Sequence, residues 1–388
     1  MIISKLGPHP QKRMVKIVCR LMYLFCIGDC WYEESLTPQY LKKLKKIWNI
    51  FVHIYVLVVL FDEYLAFLRT DLGVKEKNDL TLMVFGLTLV YFKVIAILYR
   101  NTKIKHTLKR MIEDDREIYF SLSIERASVK KAMKYSACLA SIIFFVPFSA
   151  AMVGLIEHLK KGNMCFVFVL TTMIYYPTPE NSGIIINILR FFIECHWWYF
   201  AAIIVIMDTL SYCTLIFIEH KFKLLQEYFK RIRKEYLDNI ETKSEEELVN
   251  IMKKQFIDGI KLHQNALWCA TNVQSCLGYV YSLEILYSTI LLVNCLIKLT
   301  VSYICNLNTC FVVFVMKNQL VTRPSADKLP SAIYDCGWEL TRGQYSRQIR
   351  SLVVIAIMRS QVPVYMTAFG IVPLSYANFV AVIIIHIY

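Results

Sequence analysis

Residues Ile47–Leu68 read IWNIFVHIYVLVVLFDEYLAFL, and the only formal charges among them, Asp62 and Glu63, fall in the last third. At 1.5 Å per residue, a helix of about twenty residues crosses the ~30 Å hydrocarbon core of a bilayer. Lys42, Lys43, Lys45 and Lys46 crowd the near end of the block, as cations do on the cytoplasmic side of a span. Comparable blocks follow at Leu80–Leu98, Ala137–Ile156 and Trp197–Ile218, then a longer apolar region at Cys276–Met316, and finally Val362–Tyr388. Cys276–Met316 has barely the length for two spans joined by a tight turn, and counting it as two gives seven. The fold class is therefore an all-α membrane protein of seven transmembrane helices.

Composition agrees. Of 388 residues 56% are hydrophobic and 19% charged, a balance that excludes a disordered chain and disfavours soluble domains. The net charge of +14 does not indicate nucleic acid, because the cations lie between apolar blocks and not on one soluble face. With a cytoplasmic N-terminus, the inside segments 1–46, 99–136, 219–271 and 317–361 hold 36 Lys and Arg, against 6 in the outer loops 69–79 and 157–196. That asymmetry places the N-terminus in the cytoplasm and the C-terminus outside.

Within the N-terminal segment, Met14–Phe25 is apolar but broken by Lys16 and Arg20. It is too short to span and reads as an interfacial helix. The inside loops are not linkers: Lys221–Tyr236 and Glu245–His263 keep helical apolar spacing (Leu224, Leu225, Tyr228, Ile232; Leu248, Ile251, Met252, Phe256) and extend segments four and five into the cytoplasm. The acidic run Glu245–Glu247 reads as a solvated helix start. The thirteen Cys lie mostly in or beside apolar blocks and read as small buried hydrophobes. Cys165 and Cys195 share one outer loop, so a bridge between them is open.

HExxH, GxSxG, Walker and GxGxxG motifs are absent, the eight His show no metal-ligand spacing, and no cofactor is expected. Asp114-Asp115-Arg116 sits in mid-loop, where an acidic-Arg triplet has no special meaning. Three charges inside spans stand out, because each costs roughly 2.5–3.5 kcal/mol at a helix centre. Lys93, about five residues from the inner end of segment two, reads as snorkelling to the interface. Asp208, near the middle of segment four, cannot snorkel; an ion pathway and a structural hydrogen bond both fit it. Glu284 lies inside segment five.

Aromatic and Met residues recur at helical spacing in three segments: Phe85, Leu89 and Phe92; Phe145, Phe148 and Met152; and Trp197–Phe200. An apolar pocket in the outer half, for a small hydrophobic ligand, is one reading; helix packing with an interfacial aromatic belt is the other. The candidate lining is Phe85, Leu89, Phe92, Phe148, Met152, Trp198 and Ala202, with Tyr303 from the sixth segment.

The C-terminal quarter resembles the insect odorant receptor family. The resemblance rests on Asn318-Gln319-Leu320, the run Ala332-Ile333-Tyr334-Asp335-Cys336-Gly337-Trp338-Glu339, and Met358-Arg359-Ser360-Gln361. Pro363, Thr367, Gly370, Pro373-Leu374-Ser375 and Asn378-Phe379 continue it in order, with weaker echoes at Gly28, Trp31 and His263-Gln264. It implies a subunit of a tetrameric, ligand-gated, non-selective cation channel in the plasma membrane of a sensory neuron dendrite. Such a subunit binds a small volatile hydrophobic ligand between segments two, three, four and six, and partners co-receptor subunits and the lipid bilayer, with no nucleic acid. Carried over by the resemblance, Tyr334, Asp335, Trp338 and Arg359 belong to a cytoplasmic anchor, and Phe379, Val382, Ile383 and His386 to the pore helix.

The implied division is a cytoplasmic N-terminal segment (1–46), transmembrane helices one to six with the outer-half pocket (47–316), a cytoplasmic anchor (317–361) and a pore-lining last helix (362–388). The region His263–Asn318 looks shorter than is usual for the family, whose last helix also normally continues beyond the equivalent of Tyr388. Both features make co-receptor subunits the expected source of the gate. A seven-span receptor coupled to cytoplasmic transducers, or a non-conducting ligand-binding relative, is the alternative. An N-terminal epitope tag on the expressed protein should bind antibody only after permeabilisation; labelling of intact cells would invert the topology.

Overall fold

The computed structural model describes residues 9–29, 38–113, 118–160, 174–178, 181, 183–301, 326–341, 343–362, 364, 366–370 and 372–373. The described chain is almost wholly helical. In order it forms α1 (Pro10–Leu24), α2 (Gln39–Leu65, prolonged by a 3₁₀ turn Ala66–Leu68), α3 (Val74–Tyr99), α4 (Asn101–Glu113), α5 (Leu122–Lys160), α6 (Ile184–Asp238) and α7 (Glu245–Val301). Two shorter helices follow, α8 (Leu329–Tyr334) and α9 (Gly343–Ser360), and a two-stranded antiparallel pair, β1 (Thr367–Ala368) and β2 (Val372–Pro373).

The first five apolar blocks lie in α2, α3, α5, α6 and α7. Among the described residues, Gln39–Leu68, Glu76–Tyr99 and Ile184–Asp238 are helices long and apolar enough to cross a membrane. α2 shows why so much apolar surface stays uncovered. Ile47, Ile50, Phe51, Ile54, Leu57, Val58 and Phe61 are exposed along one face, while Val52, Val56, Val59 and Leu60 are buried on the other. In a bilayer the first face meets lipid, which costs nothing.

α6 and α7 each exceed fifty residues, so at 1.5 Å per residue each runs roughly 80 Å. Their cytoplasmic halves pair antiparallel, which bears out the extensions read from Lys221–Tyr236 and Glu245–His263. Ser244 caps α7, its hydroxyl accepting from the Glu247 N–H at 3.3 Å, with the acidic run in the first turn. Gly259 sets the distance between the two rods: a Cβ there would fall 2.9 Å from Phe229 Cζ and 3.2 Å from Tyr228 Cε1. The ring of Phe229 meets that of Phe256 at 5.6 Å, and the Tyr228 hydroxyl donates to the Gln255 carbonyl at 2.9 Å.

Four expectations change. First, α1 does not lie in an interface plane. Its Met14, Val15, Val18, Cys19 and Met22 are buried against the bundle. One end shares a small cavity with His220, Lys221 and Leu224 of α6, and just past the other end the Phe25 carbonyl accepts from Tyr199 at 2.8 Å. Tyr199 and His220 are ~30 Å apart along a helix, so α1 stands upright along α6, its apolar face covered by protein. Second, α6 begins at Ile184, well before Trp197. Residues 184–196 are therefore helix and not loop, and Trp197–Phe200 lies more than three turns into it. Third, Cys195 is a free, exposed thiol on that helix and holds no bridge; Cys165 lies outside the described residues. Cys19, Cys26, Cys213, Cys269, Cys276 and Cys336 are buried, as their apolar settings imply.

Fourth, the last helix does not start at Val362. Its described residues up to Pro373 are not helical: Phe369 (φ 54°) and Gly370 (φ 74°) turn the chain between β1 and β2 in the left-handed region. Pro363 and Pro373 bracket this stretch and disfavour helix at the residues before them. The part of the fifth block beyond Val301, with Tyr303, and the pore residues Phe379, Val382, Ile383 and His386 lie outside the described residues, as does Asp114-Asp115-Arg116.

Gly259→Ala should lower thermal stability by ~1–3 kcal/mol, the usual cost of overpacking, and Gly259→Ala with Phe229→Leu should recover part of it. Thermal unfolding of the purified chain measures both.

Candidate functional site

The bundle brings together three intramembrane charges that the sequence shows one at a time. Lys93 on α3 places Nζ 3.4 Å from Asp208 Oδ1 on α6 and in contact with Glu284 Oε2 on α7. All three residues are buried, Lys93 almost wholly. Lys93 therefore does not snorkel: its ammonium turns into protein because two carboxylates wait there. Each ion pays a desolvation cost of several kcal/mol, which the pairing must offset. Hydroxyls surround the cluster. Tyr281 and Thr214 share a hydrogen bond at 3.0 Å, and Thr214 donates to the Ser211 carbonyl at 2.8 Å. Among the described residues, Asp208 Oδ2 and the Tyr212 hydroxyl have no hydrogen-bond partner, and both residues line a cavity of about 10 Å³ with Ser211, Leu215, Tyr281 and Glu284.

The cluster needs α3 and α7 close together. Gly86 provides this, since a Cβ there would meet Tyr287 Cε2 at 2.9 Å. Val90, Val94 and Ile97 complete the buried side of α3. The candidate ligand residues divide around this packing. Phe85 (55% exposed) and Phe92 (50%) point away from it, while Leu89 (7%) is buried. On α5, Phe148 (56%) and Met152 (41%) are exposed. On α6, Trp198 is half-buried and stacks on Phe144 of α5 at 6.1 Å and 11°, and Ala202 is half-buried one turn on. Three helices thus carry uncovered aromatic or Met side chains.

The outer end of the bundle is tied down by polar contacts that sequence reading missed. Arg190 of α6 is buried and donates to the carbonyls of Thr178 and Asn181, both at 2.8 Å. Arg69 donates to the Ile174 carbonyl at 2.8 Å, and the Tyr175 N–H donates to the Asp62 carbonyl at 3.3 Å. These bonds dock residues 174–178 on the ends of α2 and α6.

At the cytoplasmic end, Tyr334, Asp335 and Trp338 come together as a compact turn. The Trp338 indole N–H donates to the Tyr334 carbonyl at 2.9 Å, and the two rings meet edge to face at 6.0 Å. Gly337, at φ 93°, lets the turn press on α6, where Arg233 Cα would lie 3.3 Å from any Cβ. Arg233 reaches the Asp335 carbonyl and the Glu339 carboxylate, each at 3.4 Å. Burial pushes the Cys336 thiol up to about 12, so it stays protonated inside this knot. Arg359 is not part of it: it lies on α9, exposed, and faces buried His263 of α7. Burial first, then the Arg359 charge, pushes His263 down to about 4 and keeps it neutral. Val354, Ile355 and Met358, also on α9, are exposed.

The hairpin is clamped to α7. The Gln274 side-chain amide donates to the Thr367 carbonyl at 2.7 Å and accepts from the Thr367 N–H at 3.0 Å, as a neighbouring strand would. Ser282 Oγ accepts from the Phe369 N–H at 2.7 Å. Gln274, Ser282 and Glu284 lie on one helix within ten residues.

The 7tm Odorant receptor family model matches residues 74–385. The chain belongs to that family. It is similar to the structure of the insect olfactory receptor OR5 from Machilis hrabei in complex with eugenol, with a TM-score of 0.75 at 10% identity over 97% of this chain and 96% of that one. The structure of the same receptor described without eugenol aligns with a TM-score of 0.69 at the same identity and coverage. No curated protein matches. The odorant receptor shares the seven-span olfactory receptor fold, and it is a membrane protein.

Lys93→Met would leave two carboxylates facing each other without a cation, and breaking one arm of a buried pair costs ~3–5 kcal/mol. Folded yield should collapse for Lys93→Met and persist for Lys93→Arg. Equal yields would show that the side chain's bulk matters and not its charge.

Proposed function

We propose that this odorant receptor binds a small, volatile, mostly apolar molecule against the uncovered faces of α3, α5 and α6, and that binding gates a non-selective cation channel formed with co-receptor subunits in the plasma membrane of a sensory neuron dendrite. Membership of the odorant receptor family, with a receptor of the same fold described in complex with eugenol, carries this reading. Phe85, Phe92, Phe148, Met152 and Trp198 suit the ligand class: aromatic rings and a thioether bury large areas and adapt in shape while asking for few hydrogen bonds. Leu89 supports the pocket from behind, and Ala202, with its small side chain, leaves room beside Trp198. Tyr303 and the pore residues Phe379, Val382, Ile383 and His386 remain in this proposal on the family resemblance.

The exposed Val354, Ile355, Met358 and Tyr334 support assembly through the cytoplasmic end, since an uncovered apolar face outside the bilayer looks for protein. Tyr334, Asp335 and Trp338 shape that surface and Arg359 borders it. The matching family is one of odorant receptors and not of enzymes.

Whole-cell recording of the chain co-expressed with a co-receptor should give odour-evoked current that is small or absent for the chain alone. Met152→Ala should shift the dose–response of the best ligand by about tenfold or more, the scale of one methylene group in an apolar pocket, without changing surface expression. If Phe85, Met152 and Trp198 can each be replaced without a shift, the ligand binds elsewhere.

A further inference from the structure

The cytoplasmic ends of α1, α2 and α5 come to one level. All three helices rise from the cytoplasm. The His53 ring of α2 lies against the backbone of Cys26, just past α1, and Lys45 Nζ reaches the Leu24 carbonyl at 3.3 Å. Arg20 and Ile47 each lie six residues below the Cys26–His53 contact, so they share a depth. A second contact gives the same answer. Gln11 donates to the Ser128 hydroxyl of α5 at 2.8 Å, and Arg20 and Ala137 each lie nine residues above it. Ile47 and Ala137 open the apolar blocks of α2 and α5, so Arg20 stands where hydrocarbon gives way to headgroups.

Six cations lie at that level or within ~10 Å below it: Arg13 and Arg20 on α1, Lys42 and Lys46 on α2, Lys130 and Lys134 on α5. All six are exposed, and among the described residues none pairs with a carboxylate. Neighbours that face protein do pair: Lys12 bonds Glu113 at 2.8 Å and Lys131 bonds Glu219 at 2.7 Å. From the level of Arg20 upward the uncovered side chains turn apolar, with Leu21 and Leu24 on α1 and Ile47 and Phe51 on α2.

We propose that this girdle binds anionic phospholipid of the inner leaflet, of the phosphatidylserine class. Charge complementarity selects the occupant: cations beside the cytoplasmic end of a span attract anionic headgroups. The apolar side chains immediately above take the acyl chains, as on an amphipathic face at a membrane. An acidic protein would satisfy the cations but not Leu24 and Phe51, which stand at hydrocarbon depth. The Arg20 guanidinium suits a phosphate, since its fork can donate two parallel hydrogen bonds. Lys46 and Lys134 share its depth on α2 and α5 to within about one turn and add charge there. The lipid thereby holds the exposed face of α1, whose other face packs on α6. This surface does not depend on how the odorant binds.

Trp48, exposed on α2 two residues above Lys46, reports the contact, because bromine on an acyl chain quenches a tryptophan that it touches. The purified full-length chain is reconstituted in phosphatidylcholine bilayers, and brominated phosphatidylserine or brominated phosphatidylcholine is titrated in. The wild type should take up the serine lipid several-fold more tightly, and the preference should shrink as salt screens the exposed charges. Each Lys or Arg near an anionic surface contributes about fivefold. The triple variant Arg20→Gln, Lys46→Gln, Lys134→Gln should therefore lose the preference, while Lys254→Gln, on the cytoplasmic half of α7, should keep it. Lys46→Gln alone, with about a fivefold loss, carries the test if the triple variant does not fold. Equal quenching of the wild type by the two lipids would overturn the proposal, as would a preference that the charge-removing variants retain or that high salt leaves unchanged. A soluble acidic peptide that displaces the serine lipid at matched charge would give the face to a protein partner and overturn it too.

Discussion

The ammonium of Lys93 between Asp208 and Glu284 fixes how the transmembrane helices stand against one another. Lipid offers no hydrophobic force to hold apolar helices together, so association depends on close packing and on polar groups that have nowhere else to go. α3, α6 and α7 each contribute one charge, and none can slide by a turn without abandoning it. Close packing follows from that constraint. Gly86 lets α3 reach α7, and the buried residues of α6 form the axis around which the other elements gather. α1 is part of the same arrangement, standing along α6 from Tyr199 to His220.

The cytoplasmic half depends on α7 in another way. One helix carries, in order, the close approach at Gly259, the neutral His263 beside Arg359, the Gln274 clamp on Thr367, and Glu284 in the charged cluster. Gln274 to Glu284 is ~15 Å of unbroken helix. The hairpin that leads into the C-terminal block is thus held by the same rod that closes the cluster. A rotation or shift of α7 would have to be shared by the charges and by the clamped strand, since neither hydrogen-bond set can stretch far.

Much of this was legible in the sequence, and what escaped it has physical causes. The span blocks, the helical extensions and the buried cysteines follow from local apolar spacing, which one chain displays by itself. The charges of the cluster were visible singly, but their pairing was not. Positions 93, 208 and 284 lie far apart in sequence, and snorkelling is the cheaper fate of a lone Lys near a helix end. The start of α6 was missed because residues 184–196 mix Arg190, Glu194 and His196 with apolar ones; the structure buries all three polar side chains against protein. The upright α1 has the composition of an interfacial helix, and only α6 explains why it stands. The non-helical stretch before Pro373 was signalled by two prolines and Gly370, yet the apolar run around them read as the first turns of a span.

The revised register of α6 also bears on the proposed ligand site. Trp198 and Asp208 are ten residues apart on one helix, ~15 Å, with Trp198 on the extracellular side of the charge. The Phe144 ring covers one side of Trp198, and the indole N–H of neighbouring Trp197 finds no partner among the described residues. A ligand against Trp198 would therefore meet aromatic surface, with the closed charged cluster well below it. Any effect on the cytoplasmic end must then pass through helices that the cluster already locks together. Such coupling requires two discrete arrangements of packed elements and not a gradual bend, because a packed interior is bistable and not continuously deformable. The cluster's two hydrogen-bonded arms, Lys93–Asp208 and Lys93–Glu284, suit that role: each is made or broken, and α3, α6 and α7 must change partners together.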